Sequence, residues 1–282
     1  PELPGVLDVV AIPGGAAVVA SNSWAALRGA EALRIRFKPT AHDGLDSATI
    51  SRQMRAGLAD GQPINARKDG DWDAVAGAAK RIVEADYEVP YLAHAPMEPW
   101  NCTVEFDADG GVHVWAPVQT QDRNRKAAAP AAGVAPDKVR LHTTLLGGGF
   151  GRRLGSDGIA AAVLTARAVG RPVKFFWRRE DEFGQGWYRP AQVARLKAAL
   201  DPEGRVTGLH VRTAGPALAA SFSPQGLPAG QLDGSSVQTI RESRYKPSAF
   251  HVEWVRVDQP VPMAPWRSVG ATQNGFFLEC FV

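Results

Sequence analysis

Residues 145–154, Leu-Leu-Gly-Gly-Gly-Phe-Gly-Arg-Arg-Leu, set four glycines around one phenylalanine and two arginines behind them. Glycine lets backbone N–H groups approach a ligand with no Cβ in the way, and a helix that starts after such a loop favours negative charge at its N-terminus. Arg152 and Arg153 would add cationic donors suited to oxyanions. The chemistry that fits is retention of an anionic, oxygen-rich group. The loop is not a P-loop, because no Gly-Lys-Ser/Thr follows. Nor is it the dinucleotide fingerprint, because Arg152 stands where the third glycine belongs. The ordinary alternative is a tight crossover whose glycines only satisfy backbone geometry.

Four further stretches carry groups capable of chemistry. In residues 93–106, His94 and Glu98 have the i, i+4 spacing of a metal pair, but Pro96 and Pro99 break any helix between them. A histidine hydrogen-bonded in a turn, and a carboxylate paired with a cation or capping backbone N–H groups, are the expected roles. Trp100 beside them reads as core or pocket wall. Gln119 follows a strand pattern and precedes a helix pattern, the place of a cap or surface residue. Arg189 in Trp-Tyr-Arg-Pro and Arg267 in Ala-Pro-Trp-Arg-Ser each sit beside aromatics in constrained loops. Either could clamp an anion bidentately or stack on its aromatic neighbour.

The elements that must position these residues follow from periodicity and punctuation. Residues 7–20 read as two strands about a Pro-Gly-Gly turn. Residues 21–34 read as a helix capped by Ser or Asn, with Trp24, Leu27 and Leu33 on its apolar side. A short strand is expected at 34–38, and a polar excursion or linker at 39–70. Asp71 caps a helix expected over 72–85. Strands are expected at 86–94, 102–107, 112–116 and 139–146, with a hairpin turn at Asp107–Gly111. A helix is expected at 120–132. After the glycine loop come a helix from about Ser156 to Val169, stopped by Gly170 and Pro172, and a strand at 173–177. This makes the loop part of a βαβ-like unit. Strands at 192–200 and 205–213 flank a hairpin turn, and another strand runs over 250–257. Residues 215–248 give no clear pattern, and 272–282 read as helical or buried. Helices and strands mix without strict alternation, which predicts an α+β fold.

Composition bounds the classes available. The chain has 282 residues, 45% of them hydrophobic and 22% charged, enough for one large domain or two modest ones. A net charge of +3 with scattered basic residues argues against nucleic-acid binding. Cys102 and Cys280 form no cluster, which argues against an iron–sulfur or zinc site in this chain; both read as small buried residues. No apolar run has the length of a membrane span, and no signal peptide is visible. The start at Pro1 and the apolar run at the end read as cuts within a longer polypeptide.

Taken in order, the stretches Ala-His-Ala-Pro-Met-Glu-Pro-Trp (93–100), Val-Trp-Ala-Pro-Val-Gln-Thr-Gln (114–121), the glycine loop, Gly-Arg-Pro-Val-Lys-Phe-Phe-Trp-Arg-Arg-Glu-Asp-Glu-Phe (170–183), Trp-Tyr-Arg-Pro (187–190) and Ala-Pro-Trp-Arg-Ser-Val-Gly (264–270) resemble the molybdenum-cofactor subunit of the xanthine oxidase family. The branch most resembled contains isoquinoline 1-oxidoreductase β-subunits and related aldehyde and nicotinate dehydrogenases. The resemblance runs along nearly the whole chain. It implies an α+β fold of mixed sheets and packed helices of the molybdopterin-binding type. It also implies an N-terminal α/β portion, 1–70, and a molybdopterin-binding portion, 71–282, each continued by further polypeptide.

The resemblance also implies roles. Gln119 matches the glutamine that hydrogen-bonds the apical oxo ligand of molybdenum. Gly148, Gly149, Phe150 and Gly151, with Arg152 behind them, match the loop around the cofactor. Phe150 would stand beside the metal's ligands, and Arg267 would serve the cofactor and substrate region. Arg189 and Trp100 would lie on the substrate side. Catalytic roles would thus fall to Gln119, Phe150 and Arg267. The metal would be held through the pterin, with no direct protein ligand. The family's general-base glutamate has no match in these residues, and Glu98 belongs to a different motif. Leu154 stands where the purine-oxidising members carry a glutamate.

The implied cofactor is molybdopterin, in bacteria commonly its cytosine dinucleotide. The implied partners are a subunit with [2Fe–2S] clusters, the rest of the molybdenum subunit and a cytochrome c subunit. The implied reaction is oxidation of an N-heteroaromatic compound or aldehyde with water as the oxygen source. The implied compartment is the bacterial cytoplasm or the periplasmic face of the inner membrane. A non-catalytic scaffold that completes a cofactor site only with another chain is the competing expectation.

Overall fold

The structure, a computed structural model, describes residues 3–223 and 225–282. It comprises two compact units, each built from separate stretches of chain: residues 1–40 with 95–186, and residues 41–94 with 187–282. The sequence-based division, 1–70 against 71–282, differs from this one, since residues 41–70 sit with the second unit.

The first unit opens with the expected hairpin, Val6–Ile12 against Gly15–Ala20, and a helix, Ser23–Ala32, whose N-cap Asn22 accepts from the Ala25 N–H. That helix buries Ala25 and Gly29, while Trp24 is exposed, contrary to the expected apolar side. The reason is close approach: a Cβ on Gly29 would lie 2.6 Å from Val18 Cγ1, so the small-residue face docks on the hairpin. No strand forms at 34–38.

The unit's main sheet has four strands in the spatial order Val139–Thr143, Val112–Ala116, Asn101–Phe106, Val173–Phe176. The central pair is the hairpin expected about Asp107–Gly111. Val112–Ala116 and Val139–Thr143 run parallel, joined through the helix Gln121–Ala132. The glycine loop and the helix Asp157–Val169 then carry the chain from one edge strand to the other, so the expected βαβ-like connection spans two intervening strands. Alternation puts Val112, Val114 and Ala116 inward, where they meet Ala128, Ala129, Ile159, Ala162 and Val163 in one apolar core.

The second unit is a five-stranded mixed sheet in the order Ile64–Asp69, Ala249–Arg256, Val206–Gly215, Gln192–Leu200, Arg81–Val89. Ala194, Leu196 and Ala198 face a core shared with Phe277 and Leu278 of the C-terminal helix Ala271–Phe281. Arg195 and Lys197 alternate to the other side, where they pair with Asp86 and Glu84. On that side lie the helices Ser47–Asp60 and Trp72–Ala78.

Two expectations fail here. The supposed linker at 39–70 contains the helix Ser47–Asp60, capped by Asp46 and buried through Ile50, Met54 and Leu58, and the edge strand Ile64–Asp69. The helix expected over 72–85 ends at Ala78, because Arg81–Val89 pairs residue for residue with Gln192–Leu200. A complete ladder outweighs the local helical spacing of Ile82 and Val83.

Candidate functional site

The glycine loop is fastened at both ends. At its start the Gly147 N–H donates to Glu98 Oε2 at 2.9 Å, and the Glu98 N–H donates back to the Gly147 carbonyl at 3.1 Å. At its end the Gly151 N–H donates to Gln119 Oε1 at 3.0 Å. The Gln119 backbone is tied in as well, donating to the Arg153 carbonyl at 3.0 Å. The sequence thus places Gln119, between the strand Val112–Ala116 and the helix Gln121–Ala132, directly against the loop.

Between the two fastenings the backbone is unusual. Gly148 and Gly151 both have φ 98°, and Phe150 is left-handed at φ 54°, a conformation uncommon for a residue with a side chain. The Phe150 ring folds back beside Gly148, where a Cβ would lie 2.9 Å from Phe150 Cε2. Phe150 remains 40% exposed. The glycines serve protein contacts: a Cβ on Gly147 would lie 2.5 Å from Glu98 Cβ, and one on Gly149 would lie 2.5 Å from Gln119 Oε1.

The N–H groups of Gly148, Gly149 and Phe150 meet no acceptor among the described residues. Successive N–H groups in a backbone that switches handedness form a concavity for anions. Gln119 adds one more donor. Because its Oε1 receives the Gly151 N–H, its Nε2 is fixed as the outward end, and that too meets no acceptor among the described residues. The donor set therefore fits the oxygen-rich group expected from sequence.

The arginines behind the loop take a different role from the one expected. Arg152 and Arg153 are both buried. Arg152 makes a bidentate pair with Asp157, at 3.0 and 2.9 Å, and lies over the Trp177 ring. Arg153 donates to the Glu98 carbonyl at 2.5 Å and lies over Trp100. Both approach buried Glu182, at 3.8 and 3.9 Å. Burial pushes the Arg153 pKa below its ordinary value, and Glu182 opposes that shift. These guanidinium groups brace the loop from within and are turned away from any ligand above it. Sequence reasoning gave no signal for Asp157 or Glu182, because their partners are defined only by the folded loop.

Trp100 is 1% exposed and packs against Trp177; it is core and not a substrate wall. Glu98 caps a backbone N–H, and Asn101 Nδ2 donates to its other oxygen at 2.9 Å, as one of its expected roles requires. Cys102 is buried in the same core, whereas Cys280 is exposed, against expectation; both are free thiols.

In the second unit, His94 is buried between two carbonyls, with Nδ1 3.2 Å from Trp187 O and Nε2 2.9 Å from Pro265 O, and it stacks on Trp266. Arg189 is also buried. Its Nη2 donates to Pro90 O at 2.5 Å, and burial lowers its pKa, with no acidic partner among the described residues. Arg267 is exposed and precedes two left-handed residues, Ser268 at φ 71° and Val269 at φ 51°. A β-branched residue there is strained, as residues at binding sites often are. Among the described residues no group of three or more His, Cys, Asp or Glu side chains could hold a metal ion, and no helix is long and apolar enough to cross a membrane.

The fold is shared with oxidoreductases of known structure. Quinoline 2-oxidoreductase from Pseudomonas putida 86 matches with a TM-score of 0.70 at 19% identity, covering 93% of this chain and 36% of that one. Aldehyde oxidoreductase from Desulfovibrio gigas matches with a TM-score of 0.66 at 20% identity, covering 92% and 28%. In sequence, the chain is 30% identical to the beta subunit of isoquinoline 1-oxidoreductase from Brevundimonas diminuta, over 100% of this chain and 37% of that protein. It is 28% identical to a nicotinate dehydrogenase subunit from Pseudomonas putida, over 100% of this chain and 24% of that protein. Residues 58–282 match the molybdopterin cofactor-binding domain, and the chain belongs to that family.

Proposed function

We propose that this chain forms the cofactor-binding part of a molybdenum hydroxylase that oxidises an N-heteroaromatic compound or an aldehyde. The observation that carries this reading is the set of donors on and beside the glycine loop that meet no acceptor among the described residues: the N–H groups of Gly148, Gly149 and Phe150, and Nε2 of Gln119. These would meet the electron-rich oxygens of a bound molybdopterin, in its cytosine dinucleotide form. When bound, that group supplies two-electron redox chemistry with water as the oxygen source. The chain's own residues orient and shield. Gln119 presents a fixed N–H donor, Phe150 supplies an apolar wall, and buried Arg152 and Arg153 offset the negative charge held above them without touching it. The family resemblance would give Arg267, exposed on its strained turn, a role toward the cofactor or substrate and Arg189 one toward the substrate, although Arg189 is buried here with its Nη2 on the Pro90 carbonyl. Electrons would pass to a partner subunit with [2Fe–2S] clusters and on to a cytochrome c subunit, in the bacterial cytoplasm or at the periplasmic face of the inner membrane.

The chain spans 37% of the length of the isoquinoline enzyme's subunit, and in this reading the complete activity would belong to a larger assembly. The test is metal and pterin analysis of the chain purified from cells that make molybdopterin. One molybdenum and one pterin per chain support the reading. Their absence, with the fold intact, favours the scaffold alternative. In the assembled enzyme, turnover in H₂¹⁸O should place ¹⁸O in the product.

A further inference from the structure

We infer that Glu98 is the positioning residue of the glycine loop, setting the direction in which its free N–H groups point. The inference deepens the proposed function and rests on it only for its consequence, cofactor retention. Glu98 uses all four of its polar positions. Its N–H and Oε2 close a two-way bond with Gly147, Asn101 holds Oε1, and the Arg153 guanidinium takes its carbonyl. Gly147 is the last residue before the backbone turns left-handed at Gly148. A fixed Gly147 and a Gly151 fixed by Gln119 leave the three residues between them little freedom to rotate their N–H groups. Arg153 ties the same glutamate to buried Glu182, which links the loop's rim to its foundation. Side-chain–backbone bonds to a charged acceptor are among the stronger ones in proteins.

Amide hydrogen exchange of residues 145–151 in the whole chain separates this role from general stability. Glu98→Ala removes the acceptor. Glu98→Asp keeps the charge and the backbone bonds but shortens the reach. Glu98→Gln keeps an oxygen for Gly147 and gives up only the Asn101 bond, since Asn101 Nδ2 stays held by Pro99 O at 3.0 Å. Exchange at the Gly147 N–H should rise about tenfold or more in the Ala and Asp variants, stay near wild type in Gln, and remain unchanged in the strand Asn101–Phe106. Wild-type exchange in Glu98→Asp would overturn the inference, even if Glu98→Ala fails to fold. Molybdenum content should fall with loop order, in Ala and Asp but not in Gln. A wild-type chain without molybdenum would instead refute the proposed function, leaving the exchange result to decide the role of Glu98.

Discussion

The side chain of Gln119 occupies the space a Cβ would need on Gly149, 2.5 Å from its carboxamide oxygen, while that same oxygen receives the Gly151 N–H at 3.0 Å. The loop and the glutamine are therefore one unit. Gly149→Val should displace Gln119 and free the Gly151 N–H. Overpacking of this kind costs about 1–3 kcal/mol, so the fold should survive with a lowered Tm. The check is the Gln119 side-chain amide resonance, which should move in Gly149→Val, together with a fall in bound molybdenum of at least tenfold. An unmoved resonance would refute the packing relation.

Glu182 is the acidic centre of a buried cluster with Arg152 and Arg153. Removing one partner of a buried ion pair leaves uncompensated charge and typically costs about 3–5 kcal/mol. Glu182→Ala should lower the free energy of urea unfolding by about that amount. Because Asp157 still holds Arg152 and the Met97 carbonyl still holds Arg179, which lies 3.5 Å from Glu182, adding Arg153→Leu to Glu182→Ala should recover part of the loss. Equal stability of the single and double variants would argue against the pairing.

The two thiols should differ sharply. Burial pushes the Cys102 thiol well above its ordinary pKa, so it stays protonated and shielded. Cys280 is exposed on the C-terminal helix. A disulfide reagent at pH 8 should modify one thiol per native chain, identified by mass spectrometry as Cys280. Cys102 should react only after unfolding. Rapid native labelling of Cys102 would contradict its place in the core.

Asp86 has a pKa held below its usual value by the bidentate Arg195 guanidinium, with both contacts at 2.8 Å. A depressed carboxylate stabilises the fold above its unfolded pKa, about 4, and loses that contribution as pH falls through the lower folded value. The pair is partly exposed, so its worth is less than about 1 kcal/mol. Asp86→Asn should lower the urea midpoint slightly at pH 7, and the gap should close as pH falls below the ordinary carboxylate range. A gap that persists there would mean the effect is not ionic.

What could be read in advance follows a physical line. The hairpin about Gly14, the helix capped by Gly170 and the turn at Asp107–Gly111 carried their own local signals, and all three formed. The helix Ser47–Asp60 had Ile50, Met54 and Leu58 at helical spacing, but the polar residues around them masked it. Residues 79–85 were misread because strand pairing with residues far along the chain outweighed their local pattern. At the site, Gln119 and the glycines were visible as a motif. The inward turn of Arg152 and Arg153 was not, because a sequence does not say which face of a loop is covered.

The second unit is assembled from stretches on either side of residues 95–186, and Asp86 meets Arg195 across 109 positions of chain. On the ribosome, at about 5–20 residues per second, the strand Arg81–Val89 must therefore wait several seconds for its neighbour to be made. Until then the nascent chain presents a bare strand edge, the kind of surface on which foreign strands pair. Production of this protein should thus depend on chaperone supply and translation speed more than its finished stability would suggest.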